Sequence, residues 1–374
     1  MKNRDKNTLG RILSALGLLL ALALAASGLS SAFAEQEGVL TYTLSGDEAT
    51  ITDCDEDATD ADVAKAFDEI SSGGAIKIVA IGNNAFSNCA SLTVIDIPDG
   101  ITSIGSYAFY GCSEFESFVI PDGFETIENA MFAGCTKLTS VTIPESVTSI
   151  QGSAFSNCVA LKEISARGVV SLASSAFSGC GNLRTVTLGS ETGNGQTGSI
   201  NPDAFSGCNA LETVFVGEGV TSIGNAFSNK SKLTAIRLPG TLADIEAGAF
   251  RNCSSLPEIE LPLGITSIGS YAFSGCSSLS VPELPPNVTS IGSYAFYGCS
   301  TLTSISIPIK LTNIESSAFA NCTSLSEIII EHGMIDLPIY FLTETTFKDN
   351  LILRVPMSVI SVGGQGYFNT TLPN

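Results

Sequence analysis

Apolar and polar residues recur along this chain in a repeat of nearly constant length. Each repeat follows the pattern A-F-x-x-C-x-x-L-x-x-I-x-I-P-x-x-V-x-x-I-x, in which a polar residue separates the apolar residues of the I-x-I step. The repeat phenylalanines are Phe86, Phe109, Phe132, Phe155, Phe177, Phe205, Phe227, Phe250, Phe273, Phe296 and Phe319. Successive positions differ by 22 or 23, except for one difference of 28. Eleven copies at this spacing predict a solenoid, because one repeat cannot bury its apolar side alone and must stack on its neighbours.

Each repeat predicts two short strands and a turn. In Val141-Thr142-Ile143 the alternation of apolar and polar residues is typical of a half-buried strand. Pro144 follows it, and a proline has no N–H with which to continue the strand pairing. A second apolar pair, at Val147 and Ile150, predicts a second strand on another side of the solenoid. The Ala-Phe pair and the Cys are expected to close the turn, with the Phe filling the interior.

This repeat resembles the BspA-like leucine-rich repeats. The resemblance is carried by Ala108 to Cys112, which reads Ala-Phe-Tyr-Gly-Cys, and again by Ala295 to Pro308. It extends over roughly residues 76–356 and implies a leucine-rich-repeat solenoid that is mainly β, with about eleven repeats of short parallel strands, turns and 3-10 segments. The pattern departs from ordinary leucine-rich repeats because Asn is absent from the ladder position and Pro follows the strand.

Residues 1–34 predict a secretory signal peptide. A basic start is followed by an apolar stretch from Ile12 to Ala26, and Ala32-Phe33-Ala34 matches the small-x-small pattern that precedes cleavage. We therefore expect cleavage after Ala34, so that the mature chain has no membrane span. An uncleaved signal anchor is the alternative, because the segment from Ile12 to Leu29 is long enough to span a bilayer.

The rest of the chain divides into three segments. Residues 35–80 form an acidic N-terminal cap segment, in which Leu40 to Ile51 resembles the family's β-hairpin cap and Asp62 to Ile70 predicts a short helix. Residues 81–346 hold the repeats. Residues 347–374 resemble the family's closing half-repeat at the C-terminus.

The charge of the chain argues against several functions. The formal net charge is −20, and no run of basic residues is present. Phosphate backbones and anionic membrane surfaces would repel such a chain, so nucleic-acid binding is not expected. The acids of the cap segment do not form an EF-hand, because Ala58 and Ala64 stand where its Gly and bidentate Glu belong. A solvated acidic loop is expected there, and an irregular calcium site is the alternative.

Candidate catalytic residues are scarce. His332 is the only histidine and lies in a Glu-His-Gly segment that reads as a surface turn. No nucleophile elbow, Walker loop or H-E-x-x-H motif occurs, so neither an enzyme nor a cofactor or metal is expected. Acids are numerous enough for a carboxylate-only glycosidase, but regular repeats offer no deep pocket in which to desolvate a pair of them.

Ten of the eleven cysteines occupy one position, three residues after the repeat Phe. They are Cys89, Cys112, Cys135, Cys158, Cys180, Cys208, Cys253, Cys276, Cys299 and Cys322. Only the repeat of Phe227 breaks this column, with Lys230. One cysteine at the same place in each repeat favours a buried turn residue with a free thiol. Disulfides between neighbours and metal binding are the alternatives. Cys54 lies outside the column and is expected to be reactive if exposed.

The outward residue of the first strand defines the predicted ligand face. This position is polar in most repeats, but Val119, Phe215 and Ile329 are apolar. Phe215 is followed at the same position of the next three repeats by Arg237, Glu260 and Glu283, and an exposed aromatic residue beside Arg is typical of a protein-binding hot spot. The alternative is that Phe215 only packs on neighbouring strand side chains. The Gly-rich insertion at 189–198 is equally consistent with a second binding element and with a flexible bulge.

The resemblance implies a secreted or cell-surface protein that binds host proteins or neighbouring cells. We therefore expect protein recognition or adhesion through the strand-lined face, by a monomer whose partner is an extracellular-matrix or cell-surface protein. The alternative is a structural or self-assembling surface component without a specific ligand. The end segments favour recognition, because caps prevent repeat proteins from stacking end to end.

Overall fold

The computed structural model describes residues 34–72, 74–280, 283–330, 336–338, 352–354 and 361–363. They belong to two compact units. The first holds the described residues up to Leu161 together with Ala176–Cys180, and the second holds Lys162–Ser175 and the described residues from Gly181 onward. The predicted signal peptide up to residue 33, His332 and most of the predicted closing half-repeat lie outside the described residues.

The first unit opens with a five-stranded sheet. Its strands are β1 (Ala34–Glu37), β2 (Leu40–Ser45), β3 (Glu48–Cys54), β4 (Lys77–Ile81) and β5 (Ser103–Ile104). The pairs β1/β2 and β2/β3 are antiparallel, whereas β3/β4 and β4/β5 are parallel. Two residues join β2 to β3 in a hairpin, but parallel strands need a longer crossover. The β3–β4 connection supplies it with the helix α1 (Asp60–Ser71).

Helix α1 covers the start of the repeats. Thr59 caps it: the Thr59 hydroxyl accepts a hydrogen bond from the Asp62 N–H, and the Asp62 carboxylate accepts one from the Thr59 N–H. The helix therefore begins two residues before the predicted start at Asp62. Its buried residues include Val63 and Phe67, one turn apart, and the Phe67 ring lies 6.3 Å from that of Phe86. The predicted hairpin and helix thus form a cap on the first repeat.

The repeats supply two columns of short strands. In the first unit the first column is β6 (Ser117–Val119) and β8 (Ser140–Thr142), and the second includes β7 (Thr126–Ile127) and β9 (Ser149–Ile150). In the second unit the first column is β10 (Glu163–Ala166), β12 (Thr185–Leu188), β14 (Thr213–Val216), β16 (Ala235–Arg237), β20 (Ser304–Ile307), β22 (Glu327–Ile330) and β24 (Ile352–Arg354). Its second column is β11 (Ser171–Leu172), β13 (Gly198–Ser199), β15 (Val220–Ser222), β17 (Asp244–Ile245), β18 (Ser267–Ile268), β19 (Ser290–Ile291) and β21 (Asn313–Ile314). The segments β23 (Asp336–Pro338) and β25 (Ser361–Gly363) form a further parallel pair.

The repeat phenylalanines fill the interior. All eleven are fully buried. Within each unit consecutive rings stack, as Phe109 does on Phe132 at 5.5 Å between centroids and Phe250 on Phe273 at 5.4 Å. These parallel strands and stacked interiors confirm the predicted mainly β solenoid.

A left-handed backbone conformation recurs two residues after each repeat Phe. The residue two after each repeat Phe has a positive φ and is always Gly or Asn, such as Gly111 at +72° and Asn88 at +62°. A Cβ at Gly111 would lie 2.3 Å from the Asn88 side-chain oxygen, so the Asn88 side chain would have to shift to make room for it. The Gly111 N–H donates to the Ala133 carbonyl of the next repeat at 2.8 Å. It therefore does not form an i→i+3 hydrogen bond within its own turn. Accordingly, no 3-10 helix is assigned within the described residues, where 3-10 segments were expected.

The predicted first strand is missing in the repeat of Phe86, at residues 94–96, and again in the repeat of Phe250. Residues 258–260, in the repeat of Phe250, are not assigned as a strand, although Ile259 is buried and Glu260 exposed as the alternation predicts. In the preceding repeat the Thr234 N–H donates to the Glu212 carbonyl, and Pro257 stands at the corresponding position without an N–H. The proline therefore removes the ladder hydrogen bond that would begin the strand. In the part of the chain that the structure describes, no helix has the length and apolarity needed to span a bilayer.

Candidate ligand-binding face

The first strand column of the second unit brings part of the predicted ligand face together. β12, β14 and β16 pair in parallel, and their register aligns Thr187 with Phe215 and Phe215 with Arg237. Residues on either side of Phe215, such as Val214 and Val216, are buried, so that Phe215 lies on the outer side of the sheet. The period-2 alternation thus placed this residue correctly.

Arg237 covers part of the Phe215 ring. Its guanidinium carbon lies 5.0 Å from the ring centroid, within the range of a cation–π contact. Phe215 is half-buried rather than exposed. Phe215 therefore packs on a neighbouring strand side chain, as the alternative predicted. That side chain belongs to Arg237, which was itself predicted to be part of the ligand face. The two residues present one combined surface of aromatic ring and guanidinium.

The insertion reaches the same place. Glu191 forms an ion pair with Arg237, with 3.2 Å between Oε1 and Nη1. Both side chains stay mostly exposed, at 67% and 60%. The strand pattern gave no indication of this contact, because Glu191 lies in the irregular segment. We name Phe215, Arg237 and Glu191 the Phe215 cluster.

Hydrogen bonds hold the insertion against the repeats. The Glu218 N–H donates to the Ser190 carbonyl at 2.9 Å, and the Asn194 side-chain amide donates to the Gly168 carbonyl at 3.2 Å. Gly217 makes this approach possible, because a Cβ there would lie 2.5 Å from the Ser190 carbonyl oxygen. The insertion is therefore attached to the repeats on both sides of it. A flexible bulge would not have such attachments.

The remaining residues of the predicted ligand face are not members of this cluster. Glu260 and Glu283 are exposed at the corresponding position of the next two repeats, and both lie outside the strands. Val119 belongs to the first unit, where it aligns with Thr142 and is 64% exposed.

A second ion pair flanks the start of the same strands. Arg184 Nη1 lies 3.0 Å from Glu212 Oε1, and both side chains are largely exposed. These residues were missed in the sequence, although they carry a readable signal. They are opposite charges at one repeat position, seven residues after Phe177 and Phe205, in adjacent repeats. Ion pairs therefore lie near both ends of β12 and β14.

The cysteine column faces the interior. All eleven cysteines are buried, and none of them is in a disulfide. From the second repeat on, the thiols with defined partners donate to the carbonyl of the Phe in the preceding repeat, as Cys112 does to Phe86 at 2.9 Å and Cys322 to Phe296 at 3.1 Å. Burial raises the pKa of the Cys135 and Cys322 thiols to about 12. Buried thiols held protonated in this way are poor nucleophiles.

Cys54 lies outside the cysteine column, and Lys230 replaces one of its cysteines. Cys54 is buried rather than exposed, and its pKa is raised far above the usual range by a hydrogen bond with Cys89 and by burial. Cys54 was expected to be reactive if exposed, and this condition is not met in the folded protein. Lys230 is only 5% exposed, and burial lowers the pKa of its ammonium group. The sequence showed the gap in the column but not that the lysine remains inside.

A cavity beside α1 has acidic residues in its lining. A cavity of about 260 Å³ lies between α1 and residues 94–96, with Asp60 and Asp96 in its lining. The Asp60 carboxylate is already occupied, because it accepts hydrogen bonds from the N–H groups of Thr93 at 2.8 Å and Val94 at 3.2 Å. Among the residues that the structure describes, no group of three or more His, Cys, Asp or Glu side chains could hold a metal ion.

Comparison with known proteins places these features in a family. The family model described as the BspA type leucine rich repeat region matches six copies, over residues 79–198, 171–280 and 222–353. No curated protein matches the chain.

Solved structures of bacterial repeat proteins are similar to the chain. A leucine-rich repeat protein of Bacteroides ovatus is 27% identical, over 73% of this chain and 88% of its own, with a TM-score of 0.35. A leucine rich cell surface protein of Faecalibacterium prausnitzii is 26% identical, over 81% and 96%, with a TM-score of 0.37. The pneumococcal vaccine antigen PcpA is 18% identical, over 87% and 92%, with a TM-score of 0.37.

Proposed function

Because this chain belongs to the BspA-type leucine-rich repeat family, we propose that it is a secreted or cell-surface protein that recognises a protein ligand. The family is one of repeat scaffolds suited to protein–protein interaction, rather than one defined by catalysis. The ligand binds on the strand-lined side of the second unit, and the Phe215 cluster is its centre.

The contact of Arg237 with both Phe215 and Glu191 carries this proposal. Arginine and aromatic side chains provide much of the binding energy at protein interfaces, because they combine a large apolar area with fixed polar groups. Phe215 and Arg237 are already held together, so that little side-chain entropy is lost when a partner binds. The exposed Glu260 and Glu283 extend this surface with negative charge, which suits a partner with a basic rim.

The acidic chain makes a protein a better partner than a nucleic acid. The net charge of −20 repels phosphate groups, and the arginines beside β12 and β14 are each paired with a glutamate. No free basic stripe is therefore left on this side of the second unit within the described residues.

Export from the cell is part of the proposal. It depends on the signal peptide at residues 1–34 and its cleavage after Ala34. The similar Faecalibacterium protein is a cell surface protein. Determination of the N-terminal residue of the protein recovered from the medium or cell surface tests this part. An N-terminus at Glu35 is the expected result, and retention of residues 1–33 contradicts cleavage.

The binding experiment compares matched arginines. Immobilised wild-type protein and the variants Phe215→Ala, Arg237→Ala and Arg251→Ala are exposed to a panel of purified extracellular-matrix proteins, and affinities are measured by surface plasmon resonance. Arg251 is the control because its guanidinium also lies over an aromatic ring, that of Tyr271 at 5.5 Å, but in the turns rather than on the strands. We expect Phe215→Ala and Arg237→Ala each to weaken binding at least tenfold and Arg251→Ala to leave it unchanged.

Three outcomes would contradict the proposal or redirect it. Equal affinity of all four proteins excludes the Phe215 cluster as the binding centre. A loss confined to Arg251→Ala moves the binding surface to the turns. Absence of any partner, together with concentration-dependent self-association in light scattering, favours the structural component instead of the recognition protein.

A further inference from the structure

The first cysteine of the column differs from those that follow it. From Cys112 onward, the defined thiol hydrogen bonds run to the Phe carbonyl of the preceding repeat. Cys89 belongs to the first repeat, so the cap stands in place of a preceding repeat. Its Sγ lies 3.8 Å from the Asp55 carbonyl oxygen and 4.0 Å from that of Cys54.

The end of β3 brings a second thiol to the same oxygen. Cys54 is the last residue of β3 and is 5% exposed. Its Sγ lies 3.6 Å from the Asp55 carbonyl oxygen, which Cys89 also approaches. The two sulfur atoms therefore converge from different elements, although the two cysteines are distant in the sequence.

We propose that Cys54 and Cys89 are a site of oxidation, at which a disulfide joins the N-terminal cap to the first repeat. The oxidant is a disulfide compound of the glutathione class. One cysteine thiolate attacks a sulfur of the oxidant and releases one thiol. The other cysteine then attacks the resulting mixed disulfide and releases the second thiol. One protein S–S bond forms as the oxidant's S–S bond breaks, and the two thiol protons and two electrons leave with the two released thiols.

The burial of both sulfurs determines when this reaction occurs. Neither thiol is exposed when the cap is docked, and hydrogen bonding with Cys89 together with burial raises the pKa of Cys54 far above its usual range. Thiolates form far more readily before the cap closes. The disulfide is therefore made while the cap docks, and once it is formed the cap shields it from reductants.

The cap already has noncovalent attachments at this place. The Phe67 ring of α1 contacts Phe86, and the Asp60 carboxylate accepts a hydrogen bond from the Thr93 N–H. A covalent bond between β3 and the first turn restricts the unfolded chain on top of these contacts. The oxidised protein should therefore keep its cap in place under conditions that release the cap of the reduced protein.

Thiol counting provides the test. The protein is reduced, denatured, and refolded with a mixture of oxidised and reduced glutathione, and its thiols are then titrated in denaturant. The chain has eleven cysteines, so we expect nine thiols in the wild-type protein. Cys54→Ser should keep all ten of its thiols. The matched control Cys112→Ser should fall from ten to eight, because it removes a column thiol but leaves the pair intact.

Peptide mapping keeps the test independent of how well a variant folds. Cleavage after Lys65 and Lys77 places Cys54 and Cys89 on separate peptides, and a second cleavage at the aspartates between Cys89 and Cys112 separates those two cysteines. We expect the Cys54 and Cys89 peptides of the refolded wild-type protein to stay linked until reductant is added. Eleven thiols after refolding, or a linkage between Cys89 and Cys112, would overturn the proposal. A loss of thiols in Cys54→Ser equal to that in the wild type would do the same.

Discussion

Phe227 and Phe215 belong to the same unit but lie in different environments, one in the interior and one on the surface. Phe227 is fully buried, with its ring centroid 5.7 Å from that of Phe205 and 6.0 Å from that of Phe250. Phe215 is half-buried on the outer side of β14, under the guanidinium of Arg237. The first is one of eleven phenylalanines at the same repeat position. The second is the one aromatic residue at its own repeat position, since the other repeats carry other residue types there.

This difference teaches how a repeat protein separates stability from recognition. A position that is enclosed by its copies in the neighbouring repeats must keep the same volume, because interiors are packed as densely as crystals. A position on the outer side of the strands meets only solvent and two neighbouring side chains. It can change residue type from repeat to repeat at little cost, and a particular combination can therefore serve one ligand.

Truncation of the buried ring should give the largest effect. Phe227→Ala removes a stacked ring and leaves a cavity, so we expect a loss of about 3–5 kcal/mol in the free energy of unfolding. Phe215→Ala should cost about 1 kcal/mol or less, because its ring is partly solvated. Urea denaturation followed by circular dichroism measures both variants. Equal losses would show that Phe215 is a core residue and not part of a ligand face.

Replacement of Lys230 should stabilise the protein. Lys230→Met removes a charge from the interior at a similar side-chain length, and we expect a gain of about 1–2 kcal/mol at pH 7. Because the pKa of Lys230 is lowered on folding, the unfolded chain binds more protons between the folded-state and unfolded-state pKa values, so stability rises with pH in that window. The gain should therefore be smaller at pH 10 than at pH 7. Urea midpoints of the two proteins at both pH values check this, and a gain that grows with pH would contradict it.

The cysteine column should make the protein sensitive to alkali. The folded pKa of Cys322 is about 12, whereas an unfolded thiol titrates near pH 8.5. Above about pH 8.5 the unfolded chain has released a proton that the folded chain still holds, so stability falls as the pH rises toward 12. Cys322→Ala lacks this loss. The amount by which the unfolding free energy of the wild type exceeds that of Cys322→Ala should thus shrink by about 1.4 kcal/mol between pH 7 and pH 9.5. A constant difference in the unfolding free energy would indicate that this thiol is not buried.

Loss of the ion pair in the insertion should have the smallest effect on stability. Glu191→Gln removes an exposed partner of Arg237, and we expect a change of about 0.5 kcal/mol or less. Ligand affinity should change more than stability, because Arg237 loses the group that orients it over Phe215. The control Glu260→Gln removes the same charge from the same face without touching Arg237. If both variants bind alike, net charge and not the position of Arg237 governs recognition.

Much of the fold was readable because one pattern is repeated. The spacing of Phe and Cys predicted the solenoid, and the alternation of apolar and polar residues predicted the outward side of Phe215. The insertion was not readable, since its Gly-rich sequence fixes no conformation and its path depends on contacts with Gly168 and Glu218. The missing strand after Pro257 could have been found, because a proline at a ladder-donor position is visible in the sequence.

Residues outside the repeats were harder to predict. The start of α1 at Asp60 depends on the capping box of Thr59 and Asp62, whereas Asp62 had been predicted as the first residue of the helix. The burial of Cys54 depends on how the end of β3 meets the first repeat, a long-range contact that no local pattern encodes. The ion pair of Glu191 with Arg237 joins residues 46 apart and is equally nonlocal.

The thiol hydrogen bonds also have a consequence for the order in which the repeats fold during synthesis. The thiol of Cys276 donates to Phe250, and that of Cys299 donates to Phe273. In each case the acceptor belongs to the repeat that leaves the ribosome first. A newly made repeat therefore finds its template already in place, and the chain can grow as an ordered assembly during synthesis without waiting for its last residues.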